Sequence, residues 1–295
     1  MNDKRIRRSA AAFPDANLET AIREAINKPE GPIYTSDLGL LTMLDASKRD
    51  ISDLTGLEHC VTLESLHLYD NNISGISPLA GLTNLESLGL EGNKISDISA
   101  LTGLTNLVWL GLSWNNISDI SPLAGLTNLG VLDLNANNIS SISALAGLTN
   151  IKELRLARNE INDISALAGL TNLEMLGLGR NNISDISPLA GLSILDLLGL
   201  GHNNISDIST LAGLTNLREL SLGENNINDI SALASLTNLQ GLDLDNMHIS
   251  DISPLVANSD FSVGNFVNLN GNPLSTTSVG VYIPQLEERG VTVHY

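Results

Sequence analysis

The side chains of this chain whose types and spacing could do chemistry are binding groups. Tyr69, Trp109 and Trp114 offer large rings, and the last two are both of the tryptophans in 295 residues of which only 3% are aromatic. Such rings anchor interfaces through buried area and through stacking on a partner. Arg155, Arg158, Arg180 and His202 offer cationic donors suited to a carboxylate, sulfate or phosphate group. Val131, Met175 and Leu197 form an apolar row beside them, interrupted by Glu153. Glu153, Glu160 and Glu174 could instead neutralise the basic group from within, and Glu219, Glu224, Asp243 and Asp245 turn the following stretch acidic. Catalytic spacing is missing. The five histidines are scattered, and there is no nucleophile elbow, no phosphate-cradling loop and no His or Cys cluster at metal spacing. Cys60, the single cysteine, stands in a slot that later holds Leu82, Leu104 and Leu126, so it reads as core and forms no internal disulfide. No catalytic residue, metal or cofactor is expected.

These groups are positioned by a repeat. From Leu41 onward the pattern Leu-x-x-Leu-x-Leu-x-x-Asn-x-Ile returns every 22 residues, starting at Leu41, Leu63, Leu85, Leu107, Leu129, Ile151, Leu173, Leu195, Leu217 and Leu239 without insertion or deletion. Leu66 and Leu68 lie two apart and so share one face of an extended strand, while Ser65, His67 and Tyr69 share the other. One unit cannot bury its leucines alone and must stack on its neighbours, with parallel strands about 4.8 Å apart. The period predicts a right-handed α/β solenoid with a parallel, concave sheet of ten or eleven strands. Its exposed strand positions are the third, fifth, seventh and eighth of each unit, where the candidate groups lie. Glycines at Gly89, Gly111, Gly177, Gly179, Gly199, Gly201 and Gly223 are expected to open shallow space between them.

The ninth position is asparagine at Asn71, Asn93, Asn115, Asn137, Asn159, Asn181, Asn203 and Asn225, and breaks at Arg49 and Met247. An amide both donates and accepts, so it can serve the backbone groups orphaned where each strand leaves the sheet. In the second half of the unit, Ser-Pro at Ser77, Ser121, Ser187 and Ser253 suits a short 3₁₀ turn on the convex side, with serine as N-cap and proline at the first helical position. A column of aspartates, among them Asp97, Asp119, Asp163 and Asp185, reads as local turn acceptors. One oxygen per repeat is a poor calcium site.

The formal net charge is −18, although residues 1–8 carry four basic residues against one acid. So acidic a body is a poor match for phosphate backbones, and nucleic acid is excluded as a partner. Residues 1–12 read as a disordered basic leader, without the apolar stretch of a secretory signal, and no later segment reaches the length of a membrane span. Residues 13–40 read as an N-terminal helical cap, with Leu18, Ala21, Ile22, Ala25 and Ile26 on one side of a helix over 15–27 that "KPEGP" stops. Residues 41–260 hold ten units, and 261–295 hold a degenerate last repeat and an α/β cap, with a helix interrupted near Pro284 and a closing strand in "VTVHY". The chain is expected to be complete and monomeric.

The segment "LESLGLEGNKISDISALTGLTN" and its copies resemble the 22-residue class of bacterial leucine-rich repeats found in the internalins. The start, "FPDANLETAIREAI" followed by "SDLGLLTMLDASKRDISDLTGLE", is similar to that group's helical cap and first degenerate repeat. The resemblance implies a leucine-rich repeat fold over roughly residues 13–260 and a secreted or surface-attached bacterial protein; a cytoplasmic location is the alternative. Internalins typically continue into an immunoglobulin-like domain, where this chain has "NGNPLSTTSVGVYIPQLEERGVTVHY".

The expectation is a non-enzymatic recognition module that binds a protein or peptide on its concave face. Open space between rings suits an extended chain better than an enclosed small molecule. A glycan or cell-wall binder stacking sugars on Trp109 and Trp114 is the alternative, and a scaffold without a native ligand is a third reading.

Overall fold

The structure, a computed structural model, describes residues 9–295; residues 1–8, most of the expected leader, lie outside the described residues. The chain divides into two compact units, Met1–Asp133 and Leu134–Tyr295.

The first unit opens with its cap. Ala11 donates to the Ile33 carbonyl and Thr35 to the Ser9 carbonyl, so the stretch expected as leader joins the cap from Ser9 onward. Helix α1 spans Ala16–Ala25 and buries Leu18, Ala21 and Ile22, whereas Ala25 is exposed. Asp15 is its N-cap: Oδ1 accepts from the N–H of Asn17 and Leu18, while Oδ2 accepts from the N–H of Ser52 and Asp53. One carboxylate therefore caps the helix and ties it to the first repeat. A short helix, α2, follows at Thr35–Leu38. Five three-residue strands then pair in parallel in chain order: β1 (Met43–Asp45), β2 (Ser65–His67), β3 (Ser87–Gly89), β4 (Trp109–Gly111) and β5 (Val131–Asp133). Residues 22 apart are partners, as the period requires.

The second unit carries seven strands: β6 (Glu153–Arg155), β7 (Met175–Gly177), β8 (Leu197–Gly199), β9 (Glu219–Ser221), β10 (Gly241–Asp243), β11 (Phe266–Asn268) and β12 (Thr292–His294). The register shift grows to 25 at β11, where Gly241 faces Phe266. The closing strand is one more than the ten or eleven expected, because Thr292–His294 pairs in parallel with β11. Ahead of it the helix is not broken at Pro284. A wide turn over Ser278–Tyr282 runs directly into α3 (Ile283–Glu288), with the proline at its second position, where the ring is tolerated.

From β1 to β10 the middle leucine of each strand is buried, as are the apolar residues two positions after it; β11 buries Val267 in that place, and Val293 of β12 is half-buried. Cys60 is fully buried among them, and burial, followed by the Glu58 charge, pushes its thiol up to about 12. The opposite side carries 3₁₀ turns such as Ser77–Leu79, Ser121–Leu123 and Ser165–Leu167. Serine does not cap them. Each turn begins at the serine itself, and the N–H of Ser99, Ser121, Ser165 or Ser187 donates to the aspartate two residues earlier at 2.8 Å. The aspartate column is thus the cap, which agrees with its reading as a turn acceptor.

The asparagine ladder joins one repeat to the next. Asn93 Oδ1 accepts from the Ile73 N–H at 3.0 Å, and its Nδ2 donates at 3.0 Å to the carbonyls of Leu68 and Leu90. In the second unit Asn159 does the same with the Ile139 N–H and the carbonyls of Leu134 and Leu156. Where Met247 breaks the ladder, that side chain is buried at 4% exposure, and Asn272 resumes it on Ile249, Leu244 and Leu269.

Replacing Asn159 with leucine should lower stability by about 2 to 4 kcal/mol, since each buried group left unsatisfied costs about 1 to 3 kcal/mol. Glu160→Ala, next to it and exposed, should stay near zero; equal urea midpoints for the two variants would refute the role of the amide. Asp15 gives a pH test. Burial pulls its carboxyl up, but the four backbone donors from Ser52, Leu18, Asp53 and Asn17 more than offset this and hold it below the ordinary aspartate value. A lowered folded-state pKa means stability present above the unfolded value of about 3.9 and lost as pH falls through the folded one. Asp15→Ala should therefore cost about 1 to 2 kcal/mol at neutral pH, and the gap to the parent chain should close in melts taken at progressively lower acid pH.

Candidate functional site

The solvent-facing strand residues form rows, one per repeat position. Positions four and six of each unit point into the core, so alternation would send position eight inward and position nine outward. The observed order is reversed: the asparagine at nine is buried and the residue at eight is exposed or half-buried. The cause is backbone conformation at position eight, which is left-handed in every unit. Lys48, Asp70, Trp114, Ala136, Arg158, Arg180, His202, Glu224 and Asn246 have φ between 48° and 59°, and of the ten units only the third has glycine there, Gly92. One left-handed residue shifts the alternation by a single step and swings the amide inward. Hydrogen bonds over-determine the strained residue, for its N–H donates to a position-seven carbonyl one repeat on: Arg158 to Gly179, Arg180 to Gly201, His202 to Gly223. Trp114, Arg158, Arg180 and His202 among the sequence candidates therefore project from this row, and Trp114 is 62% exposed.

In the first unit, Tyr69, Trp109 and Val131 are half-buried on the strand face. Trp109 and Val131 are register partners on β4 and β5. The Trp109 ring does not stand free in solvent. It lies over Gly89 and Gly111, with its centroid 6.1 Å from the His67 ring. Those two glycines, expected to leave open space, are instead covered by Trp109 and by the carboxyl of Glu91. Burial pushes the Glu91 carboxyl above its usual range; its own backbone N–H and His67 oppose this, while Asp133 and Asp70 reinforce it. Sequence reasoning missed His67 and Glu91, although the paired glycines at position five were the signal for a side chain folding inward beside them.

In the second unit, Met175 and Leu197 are neighbours on β7 and β8, both half-buried. The expected basic cluster is partly internal. Arg155 pairs with Glu153 at 3.1 Å and lies 3.9 Å from the Met175 sulfur. Glu174 instead pairs with Lys152 at 3.1 Å. Arg180 Nη2 lies 2.9 Å from His202 Nε2. On the other side of the ring, Nδ1 lies 3.8 Å from the Glu224 carboxylate. Gly177 and Gly199 do leave the sheet floor open, with only backbone near a notional Cβ. Next to them a shallow cavity of about 380 Å³ runs over β8 to β11, floored by Gly199 and Gly241 and walled by Leu197, Glu219, Asp243 and Phe266. Phe266 was missed because the longer spacing before β11 hides its repeat position. A larger depression, about 540 Å³, lies away from the strands around Ser141, which stands in the aspartate column, and carries none of the candidate residues.

Among the described residues no three His, Cys, Asp or Glu side chains are grouped to hold a metal ion, and no helix is long and apolar enough to cross a membrane. The family model for leucine-rich repeats in two copies matches residues 61–103, 105–147, 149–191, 195–235 and 215–257. An internalin (inlF) of Listeria monocytogenes is similar at 36% identity, over 97% of this chain and 92% of that one, with a TM-score of 0.83. This chain is an internalin-like leucine-rich repeat protein. Internalin C2 of the same organism is 38% identical over 76% of this chain and 99% of its own, with a TM-score of 0.70. InlJ of L. monocytogenes, whose functional domain includes a cysteine ladder, shares the fold at 23% identity, with 90% of this chain and 62% of that one covered and a TM-score of 0.74. This chain has a single cysteine, Cys60. Among curated proteins none matches this internalin-like chain.

The left-handed row supplies a stability test. An L-residue there costs about 1 to 2 kcal/mol, partly offset by the entropy glycine loses on folding. Ala136→Gly, at φ 54°, should therefore stabilise the protein by about 0.5 to 1 kcal/mol. An unchanged or lowered chemical-denaturation midpoint would show that the hydrogen-bonded neighbours have relaxed the strain.

Proposed function

We propose that this internalin-like protein is a non-enzymatic recognition module that binds a protein partner on its strand face, acting at the cell surface or after secretion. The observation that carries the reading is the left-handed row. Eight of the nine residues from Asp70 to Asn246 keep a side chain where glycine would relieve the backbone. The buried positions are near-identical from unit to unit, whereas this row changes from acid to indole to guanidinium to imidazole. Strained backbone that presents varied, exposed groups is a pattern that points toward recognition. Trp109 and Trp114 provide area in the first unit. Met175, Leu197 and the groove beside Phe266 provide it in the second, with Arg155, Arg158 and Arg180 setting charge preference. Family membership supports the same reading, since variation confined to the strand face lets one scaffold serve different ligands. A secreted or surface location is supported by the same likeness.

Crosslinking and mass spectrometry in the source organism would identify the partner, and titration calorimetry would then test the face. Trp109→Ala with Trp114→Ala should weaken binding at least about tenfold, the loss of roughly 1.4 kcal/mol or more expected of anchoring rings. Replacing Arg155, Arg158 and Arg180 with alanine should weaken it in a salt-dependent way. Asp185→Ala, on the 3₁₀ side, should leave affinity unchanged. Loss of binding in the Asp185 variant alone would move the site to the opposite surface and sink the proposal.

A further inference from the structure

Position five runs across β2 to β5 as His67, Gly89, Gly111 and Asp133. The two adjacent glycines make a slot two strands wide and one side chain deep. Into it fold the carboxyl of Glu91, from beyond the end of β3, and the ring of Trp109, from the start of β4. A Cβ on Gly89 would stand 3.0 Å from Glu91 Oε2 and from His67 Nδ1, and 3.5 Å from the Trp109 ring. On Gly111 it would collide with the Glu91 carboxyl and lie 2.8 Å from the ring. A side chain on Gly111 would thus expel the present occupants, and one on Gly89 would crowd them.

Within the slot, Glu91 Oε2 is shut off from solvent, and no donor among the described residues meets it. No lysine or arginine of the described residues reaches that carboxyl. A buried carboxylate oxygen without a donor is costly, and the missing partner is by its chemistry a donor, best a cationic one. The charges facing the slot agree. Asp133 and Asp70 add negative potential, which His67 and the backbone N–H of Glu91 itself oppose. An anion would be repelled there, and an apolar group would leave the carboxylate unpaired. The ring adds a second attraction, because the face of an indole draws a cation. The chain already uses this arrangement once: Lys48 Nζ sits 5.4 Å from the Tyr69 ring centroid and 3.9 Å from Asp70 Oδ2. At Trp109 and Glu91 the ring and the carboxylate recur without a resident cation.

We propose that the Glu91 carboxyl and the Trp109 ring, which close over Gly89 and Gly111, part to admit a cation between them, the ammonium or guanidinium of a lysine or arginine side chain of the protein partner. This rests on the strand-face reading and gives it a chemical preference: the partner presents a basic side chain to the first unit.

The test needs no identified partner. Trp114→Phe leaves Trp109 as the sole indole, whose Nε1–H resonance and emission report on the slot. This variant is titrated with n-butylammonium and n-butylguanidinium chloride, and in parallel with n-butanol and with sodium chloride at equal ionic strength. Saturable shifts with the two cations and none with the controls are expected. Adding Glu91→Gln, which keeps the shape and removes the charge, should weaken the cation response about fivefold to tenfold, as loss of one charge-assisted contact does. Its melting curve checks that it is folded. Gly111→Ala, which displaces the carboxyl, should abolish the response. An equal response to n-butanol, or an unchanged titration in Glu91→Gln, overturns the proposal. Should the cations fail while the arginine substitutions in the second unit still weaken partner binding, the subsite falls and the strand-face reading stands.

Discussion

Every repeat must turn its strand out of a sheet and back around a buried leucine core, and in doing so it strands an N–H and two carbonyls where water cannot reach. The ninth-position amide answers all three at once. Asn93 accepts from Ile73 and donates to Leu68 and Leu90, and Asn159 repeats the set on Ile139, Leu134 and Leu156. A carboxylate could accept but not donate, and a leucine could do neither. Because two of the three partners belong to the preceding repeat, the amide couples neighbours as well as finishing its own turn. This constrains the strand-and-turn segment itself, where losing a partner is expensive, whereas the three extra residues before β11 fall outside it and Asn272 still reaches Ile249, Leu244 and Leu269.

The display surface follows from the same requirement. To face inward, the asparagine must leave the two-residue alternation, and one left-handed residue before it makes the change. That residue is thereby thrown outward with its side chain clear of the sheet. Trp114, Arg180 and His202 project for the sake of a turn that serves the core. A scaffold organised in this way can vary its outward row without touching the amide, provided that the carbonyl one repeat on still receives the strained N–H.

Between the two units the same glycine means different things. Gly89 and Gly111 are overlaid by Trp109 and Glu91, whereas Gly177 and Gly199 remain open floor. The difference lies in the neighbours. Position seven is Glu91 beside Gly89, and its carboxyl also reaches over Gly111, whereas beside Gly177 and Gly199 it is Gly179 and Gly201, so no carboxyl folds over those two position-five glycines. The aromatic and acidic groups of the first unit are therefore one packed arrangement. In the second unit the open strip leads to the groove beside Phe266, and the arginines partly satisfy one another's surroundings through Glu153 and His202.

The sequence by itself determined what is periodic. Leucines at fixed spacing prescribe parallel strands with partners 22 residues apart, the asparagine column prescribes the ladder, and the aspartate and serine prescribe the 3₁₀ turns, because each depends on chemistry repeated at one short distance along the chain. Buried Cys60 was legible for the same reason, from the leucines that fill its slot in later units. What only the tertiary structure decided is where the pattern depends on side chains meeting across strands. The left-handed row was hidden because nine of its ten residues from Lys48 to Asn246 are not glycine, the usual marker of such a conformation. Pairing of Arg155 with Glu153, and of Arg180 with His202, depends on rotamers that spacing does not specify. The Glu91 slot arises from three strands at once: a glycine pair on two of them, a ring on one and an imidazole on the third. No local rule links these residues, and they become a site only because stacking brings positions 22 apart to within one strand spacing of each other.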